Sequence, residues 1–166
     1  SDDSSDEIEP LVKKEELIDK KDITKAIEGL KKETPIAYPT VTNLRSWETE
    51  MIQVLLRNSC ASDGLELWWF RQIKEKTFEQ LAESQYDSSV RNEKSRYRWQ
   101  MLDNAVVVMI GKTAPNALKT LVKLNNQKQS FDGTHRFVTG RQHIKLIFKY
   151  LDVGDDRIQT LVSEQI

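Results

Sequence analysis

Asp103 is the side chain in this sequence best placed to do chemistry. It lies in the same predicted helix as the apolar run Ala105-Val106-Val107-Val108-Met109-Ile110, and burial there would raise a carboxyl toward the range that general acid or base catalysis uses. A carboxylate in that position serves equally to cap a neighbouring helix or pair with an arginine, and the structural role is the expected one. The two histidines are His143, on a predicted helix one position before Ile144, and His135, in a predicted loop; they give neither a metal-ligand spacing nor a nucleophile and base. Cys60 sits in the polar turn Ser59-Cys60-Ala61-Ser62-Asp63, has no histidine beside it, and reads as an ordinary thiol. Asp132-Gly133-Thr134 has the composition of an aspartic-protease motif in the wrong order. The sequence holds no glycine-rich phosphate loop, no His-Glu-x-x-His, no nucleophile elbow and no Cys-x-x-Cys. We therefore expect a non-enzyme with no cofactor, no metal and no small-molecule substrate.

Recognition chemistry is better supplied. Trp47, Trp68, Trp69 and Trp99 fall on three predicted helical segments, and Trp47 and Trp99 take positions that suit core anchors. Adjacent helical residues point about 100° apart, so Trp68 and Trp69 cannot both face one core. One ring must be covered by another element or exposed for a partner, which makes Trp68, Trp69 and Phe70 the candidate interface. Charge gives a second pointer. The net charge of -1 conceals an acidic front, where residues 1–34 carry eleven acids against seven bases, and a remainder with fifteen acids against eighteen bases. From Gly111 to Tyr150, the bases Lys112, Lys119, Lys123, Lys128, Arg136, Arg141, Lys145 and Lys149 face Asp132 alone. Such an excess can follow an anion such as RNA, or it can be a solvated helical face. No aromatics alternate with the bases as a stacking platform requires.

The elements that must position these residues are helical. A length of 166 residues gives about one domain, and only 6 Gly and 4 Pro argue against a fold stitched by many tight turns. No apolar run approaches the roughly 20 residues of a membrane span, and Ser1–Pro10 is the opposite of a signal peptide, so a soluble intracellular chain is expected. Ser1–Pro10 is too polar to offset its own ordering entropy. From Leu11 to Lys32 the pattern turns helical, with Ile23, Ala26, Ile27 and Leu30 on one stripe and Asp22 placed to cap; this segment can dock on the domain or on a partner. Thr34–Thr42 reads as an extended lead-in. Helices then follow from Leu44 to about Asn58, behind Asn43 as cap, over Leu65–Ile73, over Glu93–Ile110, from Pro115 to Leu124, and from Thr139 as cap through Leu151. Asn125–Gly133 reads as a loop, and Phe131 with Thr134–Val138 as a short hairpin. A last helix with Ile158, Leu161, Val162 and Gln165 reaches Ile166 without a stop signal, so the pattern predicts a chain that continues. The expected fold is all-α, a compact bundle of about six to seven helices. Its predicted division is a flexible acidic arm over 1–34 that can hold a short helix, a helical domain over 35–154, and the start of a linker or further helix over 155–166.

Taken together, these positions resemble the capsid region of Gag from copia-type LTR retrotransposons. The resemblance rests on Asn43-Leu44-Arg45-Ser46-Trp47, then Leu67-Trp68, then Trp99 followed by Asp103 and Ile110, and a closing stretch from Thr139 to Tyr150, with Arg157-Ile158 and Leu161 after it. It covers about Asn43–Ile166. Gly140 stands where the family has Ala, Gln142 where it has Glu and Ile144 where it has Trp, and the segment between Pro115 and Thr139 is longer. The resemblance implies an all-helical N-terminal capsid domain with no catalytic task, whose copies assemble into a cytoplasmic shell that packages the element's RNA. A domesticated Gag, cytoplasmic or nuclear, would carry the same signature. The family's zinc knuckle is absent here, so RNA contact would be electrostatic and weaken with salt. Two other classes stay open: a helical interaction domain of a host regulatory protein, and an unrelated viral nucleocapsid or coat domain.

Overall fold

The computed structural model describes residues 18–87, 92–131 and 136–151. Among them the chain forms six α-helices and one 3-10 turn, with no strand: α1 (Lys20–Lys32), α2 (Leu44–Arg57), α3 (Leu65–Glu75), the turn Gln80–Ala82, α4 (Glu93–Gly111), α5 (Asn116–Phe131) and α6 (Gly140–Leu151). The all-helical expectation therefore holds.

α4 is the hub, as its apolar sequence requires. Its Trp99, Leu102, Val106 and Ile110 are buried at helical spacing, and Asn92 caps it by accepting from the Lys94 and Ser95 N–H groups at 2.9 and 3.4 Å. α1 packs on one side of α4 and α6 on another, while α2 pairs with α3 and α3 with α6. Ile23, Ile27 and Leu30 bury the stripe of α1. Its cap is Asp19, which accepts from the Lys21 N–H at 3.1 Å; Asp22, the expected cap, lies inside the helix. α1 is the short helix allowed for within the 1–34 segment, and it docks on α4, one of the two alternatives open for it. Residues 1–17 and the expected helix beyond Gly154 lie outside the described residues.

Two further local expectations change. Asn43 heads α2, but its side-chain oxygen accepts from the Thr40 N–H at 2.7 Å and makes no cap bond to the helix. α5 continues to Phe131 instead of ending near Leu124. Its polar second half stays helical while Asn125 donates to the Leu121 carbonyl at 2.8 Å and Asn126 accepts from the Val138 N–H at 2.7 Å. The expected hairpin of Phe131 with Thr134–Val138 does not form among the described residues, where Phe131 ends α5 and residues 136–138 are not strand; residues 132–135 lie outside them. Thr139 caps α6 as predicted and does so reciprocally, its hydroxyl accepting from the Gln142 N–H at 3.2 Å while Gln142 Oε1 accepts from the Thr139 N–H at 2.9 Å. This is a capping box with Gln at its third helical position.

The core is aromatic at its centre. Trp69 stacks on Trp99 at 5.8 Å between centroids and 18° between planes. Phe148 of α6 receives Trp47 edge-on at 6.3 Å and Phe70 at 6.4 Å.

Candidate interaction surface

Asp103 and His143, singled out in the sequence for chemistry, are both buried in the packing of α6. Asp103 is buried, and its Oδ2 and Oδ1 accept from the Gly140 and Arg141 N–H groups at 2.7 and 3.2 Å, at the positive end of α6. Burial pushes this carboxyl above its ordinary pKa, against the pull of those two bonds and of Arg141. Arg141 is itself fully buried. Its guanidinium donates to Gln72 Oε1 at 2.6 Å and to the carbonyls of Trp69, Glu83 and Gln85 at 3.3, 2.7 and 2.9 Å, pinning the segment after the 3-10 turn to the core. Burial lowers its pKa to about 10, which leaves it charged at neutral pH. His143 is buried one turn along α6, with Nδ1 2.7 Å from the Thr139 carbonyl oxygen, and burial lowers its pKa. Burial raises the Cys60 thiol to about 11, so it is a poor nucleophile at neutral pH. His135 lies outside the described residues. No group of three or more His, Cys, Asp or Glu arranged to hold a metal occurs among the described residues.

A buried charge cluster escaped the sequence reading. Arg98, buried beside Trp99 on α4, makes two 2.8 Å bonds to the oxygens of Asp63 and one of 2.9 Å to Glu66 Oε1, and its guanidinium lies 4.3 Å from the Trp99 ring centroid. Burial works against the Arg98 charge, and Asp63 and Glu66 outweigh it, so its pKa rises. Asp63 also accepts from the Leu65 N–H at 3.1 Å, just ahead of α3. Burial opposes its charge too, yet the Arg98 and Leu65 bonds hold its carboxyl below the ordinary value. The spacing of Asp63 and Glu66 at the head of an aromatic helix was the available signal; Arg98 had none.

The predicted interface splits. Trp69 and Phe70 are buried in the core and cannot meet a partner in the folded chain, because their side of α3 faces α4 and α6. Trp68 remains 51% exposed, with the Arg71 guanidinium 5.3 Å from its ring centroid. The predicted basic face also thins. Arg141 is a core residue, and Arg136 is paired with Glu83 at 2.7 Å. Lys112, Lys119, Lys123, Lys128 and Lys149 are exposed and Lys145 is half-buried. Lys119 and Lys123 share the outer side of α5, a helix without a single acid. Lys145 and Lys149 line a cavity of about 470 Å³ with Leu44, Glu48, Lys74 and Phe148. Lys74 lies outside the basic stretch that the sequence displays, and only the fold brings it there. No helix of the described residues is long and apolar enough to cross a membrane.

No protein-family model, curated protein or solved structure matches this chain.

Proposed function

We propose that this chain is a non-enzymatic assembly domain of the retrotransposon Gag capsid type, whose copies associate into a shell around RNA. The observation that carries the reading is Trp68. A half-exposed tryptophan under an arginine, next to a tryptophan that is wholly buried, is the kind of anchor on which protein contacts concentrate their energy. The positions behind the resemblance support it from the other side: Trp99, Asp103, Thr139 and Tyr150 all serve packing or capping. They serve the fold, and this reading gives them no catalytic task. Self-contacts of a shell have to be repeated and head-to-tail in kind, so that they do not close early, and Trp68 would meet a different surface on the neighbouring copy. Lysines on the α6 side supply an electrostatic attraction for RNA.

Sedimentation velocity over a concentration series, with electron microscopy of the same samples, tests the reading. Concentration-dependent oligomers, and shells or tubes, are expected. A chain that stays monomeric at every concentration and salt would overturn the capsid assignment and leave a helical domain that docks on another protein.

A further inference from the structure

We propose that the groove between the head of α2, the last turn of α3 and the second half of α6 binds the phosphate backbone of single-stranded RNA through Lys145 and Lys149, beside the Lys74–Glu48 ion pair. The proposal rests on the assembly reading only in taking RNA as the anion. Three ammonium groups and one carboxylate, Glu48, line this groove. The carboxylate is already engaged, with Lys74 Nζ 2.9 Å from Glu48 Oε2. Lys145 Nζ donates to the Lys74 carbonyl at 3.3 Å, one of the last carbonyls of α3, and neither Lys145 nor Lys149 has a carboxylate partner among the described residues.

Lys145 and Lys149 stand one turn apart on one helix, about 6 Å along its axis. Like charges at that spacing repel, and the pair is joined here by a third lysine from another helix. The head of α2 adds to the imbalance. Its first turn contains no acid and Asn43 does not cap it, so the positive end of the helix dipole is left uncompensated beside Leu44. The floor is rigid. Phe148 is buried between Trp47 and Phe70, and Lys74 Nζ lies 5.5 Å from its ring centroid, so little side-chain freedom remains to be lost on binding. Lysines act as point charges and do not read base edges. Single-stranded RNA fits this chemistry: it offers a phosphate at every nucleotide on a flexible backbone that can follow an open groove, and its binding here is independent of sequence.

The test is fluorescence-anisotropy titration of the full chain with a labelled oligouridylate at several salt concentrations. With Lys74 held by Glu48, the two phosphate contacts of Lys145 and Lys149 at about 0.7 each give a slope of log affinity on log salt near -1.4, or roughly sevenfold weakening between about 50 and 200 mM. Lys145→Gln with Lys149→Gln is expected to flatten the slope by about 1.4, and Lys149→Gln alone, at an exposed position, by about 0.7. Lys119→Gln with Lys123→Gln on α5 is expected to leave it within about 0.3. The single variant keeps the test decisive if the double variant melts at a lower temperature. An unchanged slope in the groove variants, or an equal loss in the α5 pair, overturns the proposal. So does one-to-one binding of inorganic tripolyphosphate that the groove variants abolish while RNA binding persists, since the groove would then hold a small polyphosphate. RNA affinity that appears only after Asp2, Asp3 and Asp6 are changed to Asn would make the chain's own acidic segment the occupant. Sedimentation of the same variants without RNA reports on assembly separately, so loss of the groove and loss of the capsid reading give different results.

Discussion

Asp103 reaches from the middle of α4 to the first residue of α6, where its Oδ2 accepts the Gly140 N–H at 2.7 Å. The contact fixes two helices that are distant in sequence at their point of closest approach. A carboxylate deep in an apolar helix is thereby satisfied by the free N–H groups that every helix start leaves over. It also explains the residue at 140. A Cβ there would stand 2.6 Å from the Asp103 carbonyl oxygen and 3.1 Å from the Val106 side chain, so the backbones can meet only if position 140 has no side chain.

Gly140→Ala is accordingly expected to destabilise the fold by about 1–3 kcal/mol, the usual cost of forcing a methyl into a filled core. Thermal unfolding followed by circular dichroism would show the midpoint falling by several degrees. An unaltered midpoint would mean that α4 and α6 separate easily, contrary to the contact described.

The Asp63, Glu66 and Arg98 cluster predicts unequal losses. Arg98→Leu strands two buried carboxylates and is expected to cost about 3–5 kcal/mol. Asp63→Asn changes the partner that receives two Arg98 bonds, whereas Glu66 gives only Oε1 and its buried Oε2 has no hydrogen-bond partner among the described residues. Glu66→Gln should therefore be the mildest of the three. Urea unfolding of the three variants checks the order, and a Glu66→Gln loss as large as that of Asp63→Asn would contradict it.

The helices themselves were legible because their apolar stripes are regular: the Trp99, Leu102, Val106 and Ile110 series and the Ile23, Ile27 and Leu30 series define α4 and α1 without help from tertiary structure. What the sequence could not show was which charged residues the packing would take inside. Arg141 looked like one more surface base among eight, and became the buried clamp of the Glu83–Gln85 segment. Side-chain burial depends on the neighbouring elements, and local spacing does not encode it. The end of α5 was missed for a related reason. Its second half, Asn125-Asn126-Gln127-Lys128-Gln129-Ser130, has loop composition, and bonds such as that from the Val138 N–H to Asn126 Oδ1 lie beyond any window of local reading. The Trp68 and Trp69 pair was half legible: geometry alone required the rings to diverge, and the fold decided which one stayed outside.

Those two tryptophans should separate folding from association. Trp69→Ala removes a ring wholly inside the core and is expected to cost about 3–5 kcal/mol. Trp68→Ala should change stability by less than about 1 kcal/mol while lowering the weight-average sedimentation coefficient at high concentration. Equal association of the Trp68 variant and the unaltered chain would remove this residue from the assembly surface.

The pH dependence of stability follows from three buried groups whose signs differ. His143 has its pKa lowered in the fold, so its unfolded form, near 6.5, takes up a proton first; stability is complete above that pH and falls as the pH drops through the folded value. Asp63 is also lowered, so its contribution is present above about 3.9 and is lost as the pH drops through its folded value. Asp103 is raised and works in the opposite sense, its contribution being complete below the unfolded value and declining as the pH rises through the folded one. Between about pH 6.5 and 5 Asp63 is still ionised in both states, so His143, with Asp103 pulling in the opposite sense, sets the slope there. His143→Gln is therefore expected to flatten the urea midpoint over that interval, while Asp63→Asn flattens it only below about pH 4. A wild-type slope that survives unchanged in His143→Gln would show that another group titrates there, and that the imidazole against the Thr139 carbonyl is not held neutral by its burial.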